Sequence, residues 1–259
     1  MAGPVMPADP GGAAAGRPGA GLERAAKSEL RRGFRQLRRQ ALPAASAGLR
    51  QRALDELPQL LPAGRRLGLF WPVGSEPDLE PWAAAGLAER LQGRLALPAV
   101  LPAAALTAAP DAAPDAAPDA ARAEPAAPAS LAGRPELLVY LAWEGEALRG
   151  RDACGLPVPL PPPGAPWRPL APEALGLLLV PALAIDRFGI RLGSGGGWYD
   201  RLRADPAWRA LPALAVLPSA CVCPRLPRDP WDVPFSGWLD ERGLTWLGPL
   251  PAADQRPCR

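Results

Sequence analysis

The residues of this chain best suited to chemistry lie between positions 177 and 201, in LLLVPALAIDRFGIRLGSGGGWYDR, where an apolar run meets a glycine cluster. Residues 177–180 read as a short buried strand; Gly193, Gly195, Gly196 and Gly197 follow, with Arg191 before them and Asp200 and Arg201 after. Without a Cβ to hold a ligand off, such a loop brings several backbone N–H groups close to a phosphate, and an arginine adds a forked donor to the same anion. No Gly-Lys-Ser or Gly-Lys-Thr closes the loop, and the spacing from Gly193 is G-x-G-G-G, so it is neither a Walker loop nor the dinucleotide fingerprint. On the motif alone, a tight strand-to-helix turn built only for geometry remains open beside the phosphate site.

A second set of charged groups stands near the start. Lys27 is the sole lysine among 29 lysines and arginines, and it precedes Arg31 by one helical turn, so both heads share a face. A solvated helix face is the other reading of that pair. The chain has no histidine, which excludes a Ser-His-Asp triad, a histidine general base and any histidine-ligated metal. Four cysteines, Cys154, Cys221, Cys223 and Cys258, form no C-x-x-C pair, so a zinc site is not indicated and a reducing, cytoplasmic compartment is expected. The formal charge of +3 is small, and aromatics do not interleave with the arginine cluster Arg31, Arg32, Arg35, Arg38 and Arg39, so we expect no nucleic-acid partner. No stretch approaches the roughly 20 apolar residues of a membrane span, so we expect no membrane association.

Several elements must position these groups. Residues 1–22, rich in Ala, Gly and Pro, are expected to be a disordered tail rather than a secretory signal, and residues 251–259 a C-terminal tail. Between 102 and 134 the repeat APDAAPDAAPDAA sets proline where neither helix nor strand continues, which predicts a solvated loop inserted into a domain. Helical spacing predicts helices over 23–40 and 46–61, and a further helix over 77–91. Apolar runs predict strands at 66–71, 95–98, 136–142, 177–180 and 213–217. That alternation argues for one α/β domain over 23–250 with a largely parallel sheet, whose strands carry ligands at their carboxyl ends. Residues 71–78, the glycine loop and residues 217–232 fall there.

In this order, KSELR at 27–31, WPVGSEPDL at 71–79, WEGEALRGRDACGLPVP at 143–159, LVPALAIDRFGIRLGSGGGWYDRL at 179–202 and LPRDPWDVPFSGW at 226–238 resemble the 5-formyltetrahydrofolate cyclo-ligases. The resemblance implies a three-layer α/β/α fold similar to sugar-phosphate isomerase and coenzyme A transferase domains. It implies an ATP- and Mg²⁺-dependent enzyme that converts 5-formyltetrahydrofolate to 5,10-methenyltetrahydrofolate with release of ADP and phosphate, expected as a monomer.

Residue by residue, the resemblance places Lys27, Ser28, Glu29, Leu30 and Arg31 at the ATP, together with Arg191, Leu192, Gly193, Ser194, Gly195, Gly196, Gly197, Trp198 and Tyr199. Arg191 and Tyr199 are the expected catalytic residues. Trp71 and Glu76 match folate-side positions, with Ser194, Gly195, Gly196, Gly197 and Trp198 also facing the substrate. Asp200 matches the acidic residue expected to hold Mg²⁺, a cation that prefers oxygen ligands. Structural alternatives are a first-turn charge for Glu76 and core packing for Trp71.

The chain also departs from the family pattern. Trp231 precedes Asp232 where histidine is frequent, Ser236 stands at a further acidic position, Trp198 stands where tyrosine is frequent, and Val158 replaces a glutamate. Ser236 and Val158 suggest a second reading, a folate- or nucleotide-binding protein with lost turnover. A sugar-phosphate isomerase on the related fold is a third, and it lacks the histidine or paired carboxylates that proton shuttling recruits.

Overall fold

Short apolar runs, each preceded or followed by glycine or proline, form the sheet that carries the site. The computed structural model describes residues 20–78, 86–107, 135–229 and 231–248, with side chains from residue 26 onward. The two tails, most of the Pro-Ala-Asp insertion and much of the helix expected over 77–91 lie outside the described residues; of that helix, one turn, α2 (Ala88–Arg90), is described.

The chain enters through α1 (Ala20–Leu60), which is one helix where the sequence predicted two. Pro43 lies inside it; proline removes an N–H and crowds the carbonyl four residues back, which ordinarily ends a helix. Here packing prevails. Ala45, Leu49, Ala53 and Leu57 recur every fourth residue and are all buried, and Ser46 Oγ donates to Leu42 O at 2.7 Å beside the interruption.

Strands β1 (Arg66–Gly68), β2 (Leu95–Pro102), β3 (Glu136–Trp143), β6 (Leu175–Pro181), β9 (Ala213–Val216), β11 (Gly237–Asp240) and β12 (Gly243–Trp246) form a seven-stranded sheet in the order β12-β11-β9-β6-β1-β2-β3. Pairing is parallel from β11 through β9, β6 and β1 to β2, and antiparallel at each edge. The expected strand over 66–71 is thus shorter and the one over 95–98 longer. β2 and β3 pair antiparallel from Leu95↔Trp143 to Pro102↔Glu136, so the insertion connects the two arms of a hairpin. Its first residues are not extended: Ala103–Thr107 forms the short helix α3, because an Ala- and Leu-rich run precedes the first repeat proline.

Alternate side chains of each strand enter opposite cores. Leu177 and Leu179 face the apolar stripe of α1, whereas Leu178 and Val180 face Leu202 and Trp208, on α4 (Trp198–Leu202) and α5 (Pro206–Ala210). Helices therefore cover both faces of the sheet, as the α/β expectation required.

Smaller pieces complete the fold. β7 (Ala184–Asp186), β8 (Arg191–Leu192) and β10 (Val222–Cys223) form a three-stranded sheet, and β4 (Gly150–Arg151) pairs with β5 (Pro157–Val158). Asp186, 1% exposed, accepts N–H bonds from Phe188 and Ile190 at 2.9 Å and from Leu226 at 2.9 Å, tying the late block to the turn before the glycine loop. Among the described residues no helix is long and apolar enough to cross a membrane.

Gly237 opens β11 where the backbone of β12 comes closest. A Cβ there would overlap Thr245 O, a backbone atom that cannot swing aside. Gly237→Ala should therefore cost about 3 kcal/mol of stability, measured as the urea midpoint shift at unchanged m-value.

Candidate active site

At the carboxyl ends of the parallel strands, α1 delivers three cations from one face. Lys27 Nζ lies 2.6 Å from Asp229 Oδ2 and 3.4 Å from Asp232 Oδ2, and Asp232 also accepts the Asp229 N–H at 2.7 Å. One turn later Arg31 Nε donates to Gly193 O at 3.2 Å. Two turns further on, Arg38, 3% exposed, donates to Ala182 O at 3.0 Å and Ser75 Oγ at 3.3 Å, and stands 3.9 Å from Glu76. The helix thus clamps the late block, the glycine loop and the turn after β1 together.

That turn is closed by Glu76 itself, whose Oε2 accepts the Val73 N–H at 3.0 Å while its own N–H reaches Val73 O at 3.3 Å. Burial raises the Glu76 carboxyl above its ordinary range, outweighing the Val73 N–H and the nearby Arg38 and Arg191. The folded chain consequently holds a proton on Glu76 that the unfolded chain has already released. Stability falls as pH climbs from the ordinary carboxyl value through the raised one, and is level above it. Melting temperatures taken from about pH 4 to about pH 8 should show this decline in the wild type and lack it in Glu76→Gln.

Around the glycine loop the chain bends where only glycine is comfortable: Gly195 has φ 111° and Gly197, which begins α4, has φ 65°. Ser194, Gly195 and Gly196 are exposed, and Leu192 is buried beneath them. Arg191 lies almost wholly below the loop, its side chain 7% exposed, donating to Pro181 O at 3.1 Å and Asp200 Oδ1 at 3.2 Å. Its guanidinium stands 5.6 Å from the Tyr199 ring and 5.5 Å from the Phe235 ring. Arg201 donates to Gly196 O at 2.8 Å and covers Trp198 at 4.4 Å, which braces the outer rim. Burial, reinforced by Glu76, holds the Tyr199 hydroxyl far above its ordinary value, so it is a neutral donor at physiological pH.

The structure brings Lys27, Arg31, Arg191, Tyr199, Asp200, Glu76 and the glycines to one region of the fold. Others of the expected set point elsewhere. Ser28 and Glu29 face solvent, Glu29 beside Arg32, and Leu30 packs against the core around Leu183 and Leu192. Trp71 is half-buried and packs against the α1-side core, which commits part of its ring to structure. Ser236 Oγ accepts the Ala213 N–H at 3.2 Å and Val158 is fully buried beside β2 and β3, so both departures have structural work. Trp231 is 69% exposed.

Sequence reading did not assign Arg38, Arg203, Asp229 or Asp232 to the site. Arg203, 3% exposed, donates to Val233 O at 3.3 Å and Pro234 O at 3.2 Å and lies 4.6 Å from the Phe235 ring. Burial and the like charge of Arg191 push it down to about 10. Its signal in the sequence was absent. For the aspartates the signal was the single lysine, which demands a partner when buried.

Among the described residues no group of three or more His, Cys, Asp or Glu side chains could hold a metal alone. Asp200 is half-exposed and meets Arg191 through Oδ1. One carboxylate beside a glycine loop is compatible with Mg²⁺, which takes one or two carboxylates and completes its shell with other oxygen donors and water.

Residues 138–238 match the profile of the 5-formyltetrahydrofolate cyclo-ligase family. A 5-formyltetrahydrofolate cyclo-ligase of Mycolicibacterium smegmatis is 36% identical over 119 residues, covering 37% of this chain and 59% of that protein. Another, from Escherichia coli, is 33% identical over 61 residues, covering 24% of this chain and 34% of that protein. The chain therefore spans less than two thirds of the length of these curated relatives. A solved 5,10-methenyltetrahydrofolate synthetase of Aquifex aeolicus superposes with a TM-score of 0.53 at 23% identity, covering 90% of this chain and 96% of that one, so the fold is shared. The matched stretch holds the glycine loop and both aspartates, whereas Lys27, Arg31 and Glu76 lie outside it and join the site through geometry.

Proposed function

We propose, for a chain that carries the 5-formyltetrahydrofolate cyclo-ligase family domain over residues 138–238, that it closes 5-formyltetrahydrofolate to 5,10-methenyltetrahydrofolate at the expense of ATP. A formamide oxygen is a poor leaving group. ATP phosphorylates it, N10 of the folate then attacks the activated carbon, and phosphate departs with the former formyl oxygen as the ring closes. ADP and phosphate are the other products.

Such a reaction asks the protein mainly for positioning and for neutralisation of moving negative charge. Arg191 stabilises the transferring phosphoryl group from beneath the loop, the backbone N–H groups of residues 193–197 and Arg31 hold the triphosphate, and Lys27 exchanges its aspartates for phosphate. Tyr199 donates its proton in a hydrogen bond to the reacting oxygen. Glu76 meets the pterin edge, with Trp71 and Trp198 as apolar walls. Asp200 would hold Mg²⁺, which would supply positive charge to offset the negative charge of the phosphates. We place the enzyme in the cytoplasm as a monomer that engages neither nucleic acid nor membrane.

The observation that carries this reading is the convergence of Arg31 and Arg191 on Gly193, with Arg191 anchored to Pro181 O at the carboxyl end of β6. Purified protein mixed with 5-formyltetrahydrofolate and MgATP should develop the absorbance band of methenyltetrahydrofolate, and should not do so without ATP. Binding of folate with no band would instead support the protein without turnover.

A further inference from the structure

Tyr140 sits in the middle of β3 with no exposed surface, and its hydroxyl oxygen is buried without a hydrogen-bond partner. Its ring is held firmly. It stacks on Trp208 with centroids 5.8 Å apart, and it fills space that Gly68 leaves, where a Cβ would come within 3.0 Å of the ring. Phenylalanine would fill the same space and strand no polar atom, so packing alone does not account for the hydroxyl.

What lies beside it does. Tyr199 packs against the cluster that contains Tyr140, carried there by α4 lying on β3. These are the two tyrosines of the chain. Two more buried atoms without partners, Arg191 Nε and Arg203 Nε, lie in the same neighbourhood: the Arg191 guanidinium stands 5.6 Å from the Tyr199 ring, and the Arg203 backbone N–H closes the helical turn on the Tyr199 backbone carbonyl at 2.9 Å. A phenol that must point at substrate keeps one orientation when a second hydroxyl stands behind its oxygen, and the Tyr199 phenol is the group beside the unpartnered Tyr140 hydroxyl.

We propose that Tyr140 is a positioning residue which, through its hydroxyl, orients the Tyr199 phenol toward the reacting oxygen beneath the glycine loop. The placement rests on packing, and the step it serves rests on the cyclo-ligase reading.

Tyr140→Phe should lower kcat about tenfold and leave the KM for ATP within about twofold, because the contact matters at the transition state rather than in binding. Its Tm should equal or exceed that of the wild type, an outcome no merely structural role for the hydroxyl would produce together with lost turnover. On a Tyr199→Phe background the same change should have no further effect. An unchanged kcat, or a full second loss in the Tyr199→Phe background, overturns the proposal. NMR of protein labelled at tyrosine ¹³Cζ decides the placement without any turnover: Tyr140→Phe leaves one resonance, which should be displaced from its wild-type position. A resonance that stays put refutes the pairing, whereas a wild type that forms no methenyl product refutes the cyclo-ligase reading instead.

Discussion

Arg191→Lys should lower kcat at least a hundredfold and Arg191→Ala about a thousandfold, with smaller changes in KM, because the guanidinium acts on charge that develops in the transition state. A lysine keeps the charge and loses the fork. In the folded chain one end of that fork reaches Pro181 O and the other Asp200, while the plane lies near Tyr199 and Phe235. An ammonium satisfies neither the planar stacking nor two separated acceptors at once. The site leaves little room for compromise: a Cβ at Gly193 would already come within 2.8 Å of Arg191 Nη1. Steady-state turnover followed at the methenyl band checks the magnitude, and a lysine variant within threefold of wild type would remove Arg191 from the chemistry.

The second large effect concerns Lys27. Removing its ammonium does more than subtract one cation from the proposed ATP site, since it leaves Asp229 and Asp232 without their counter-ion. Two uncompensated carboxylates then face the phosphate chain. Lys27→Ala should therefore raise the KM for ATP about a hundredfold, from lost attraction and new repulsion together. Adding Asp229→Asn to Lys27→Ala should recover about tenfold of that loss, because it removes one repelling charge. A double variant no better than Lys27→Ala would mean that the aspartates do not sense the phosphates.

The sequence made the chemistry of this site easier to read than its wiring. Gly193 and Gly195 to Gly197 after an apolar run, an arginine before them and a lone lysine one turn from Arg31 are local patterns, and the fold brings all of them to one region. The partners of Lys27 are not local: Asp229 is 202 residues away, and no spacing rule connects them. Arg38 looked like one arginine among a basic cluster, and only the fold shows it reaching Ala182 and Ser75 past the carboxyl ends of the central strands β6 and β1. Helical spacing on either side of Pro43 read as two helices, whereas the buried stripe that carries one helix through the proline is a tertiary contact. The hairpin of β11 and β12 escaped notice because GWLDERGLTW carries charge at its turn and weak alternation, so its pairing depends on the parallel neighbour β9. Tyr140 gave no signal at all, since one tyrosine in an apolar strand reads as packing.

The most direct measurement follows the formyl oxygen. With 5-formyltetrahydrofolate carrying ¹⁸O in its formyl group, the phosphate released from MgATP should contain one ¹⁸O per methenyl product formed, because the oxygen leaves as part of phosphate. Unlabelled phosphate alongside methenyl product would contradict phosphoryl transfer to the formyl oxygen, and with it the catalytic roles of Arg191, Lys27 and the glycine loop.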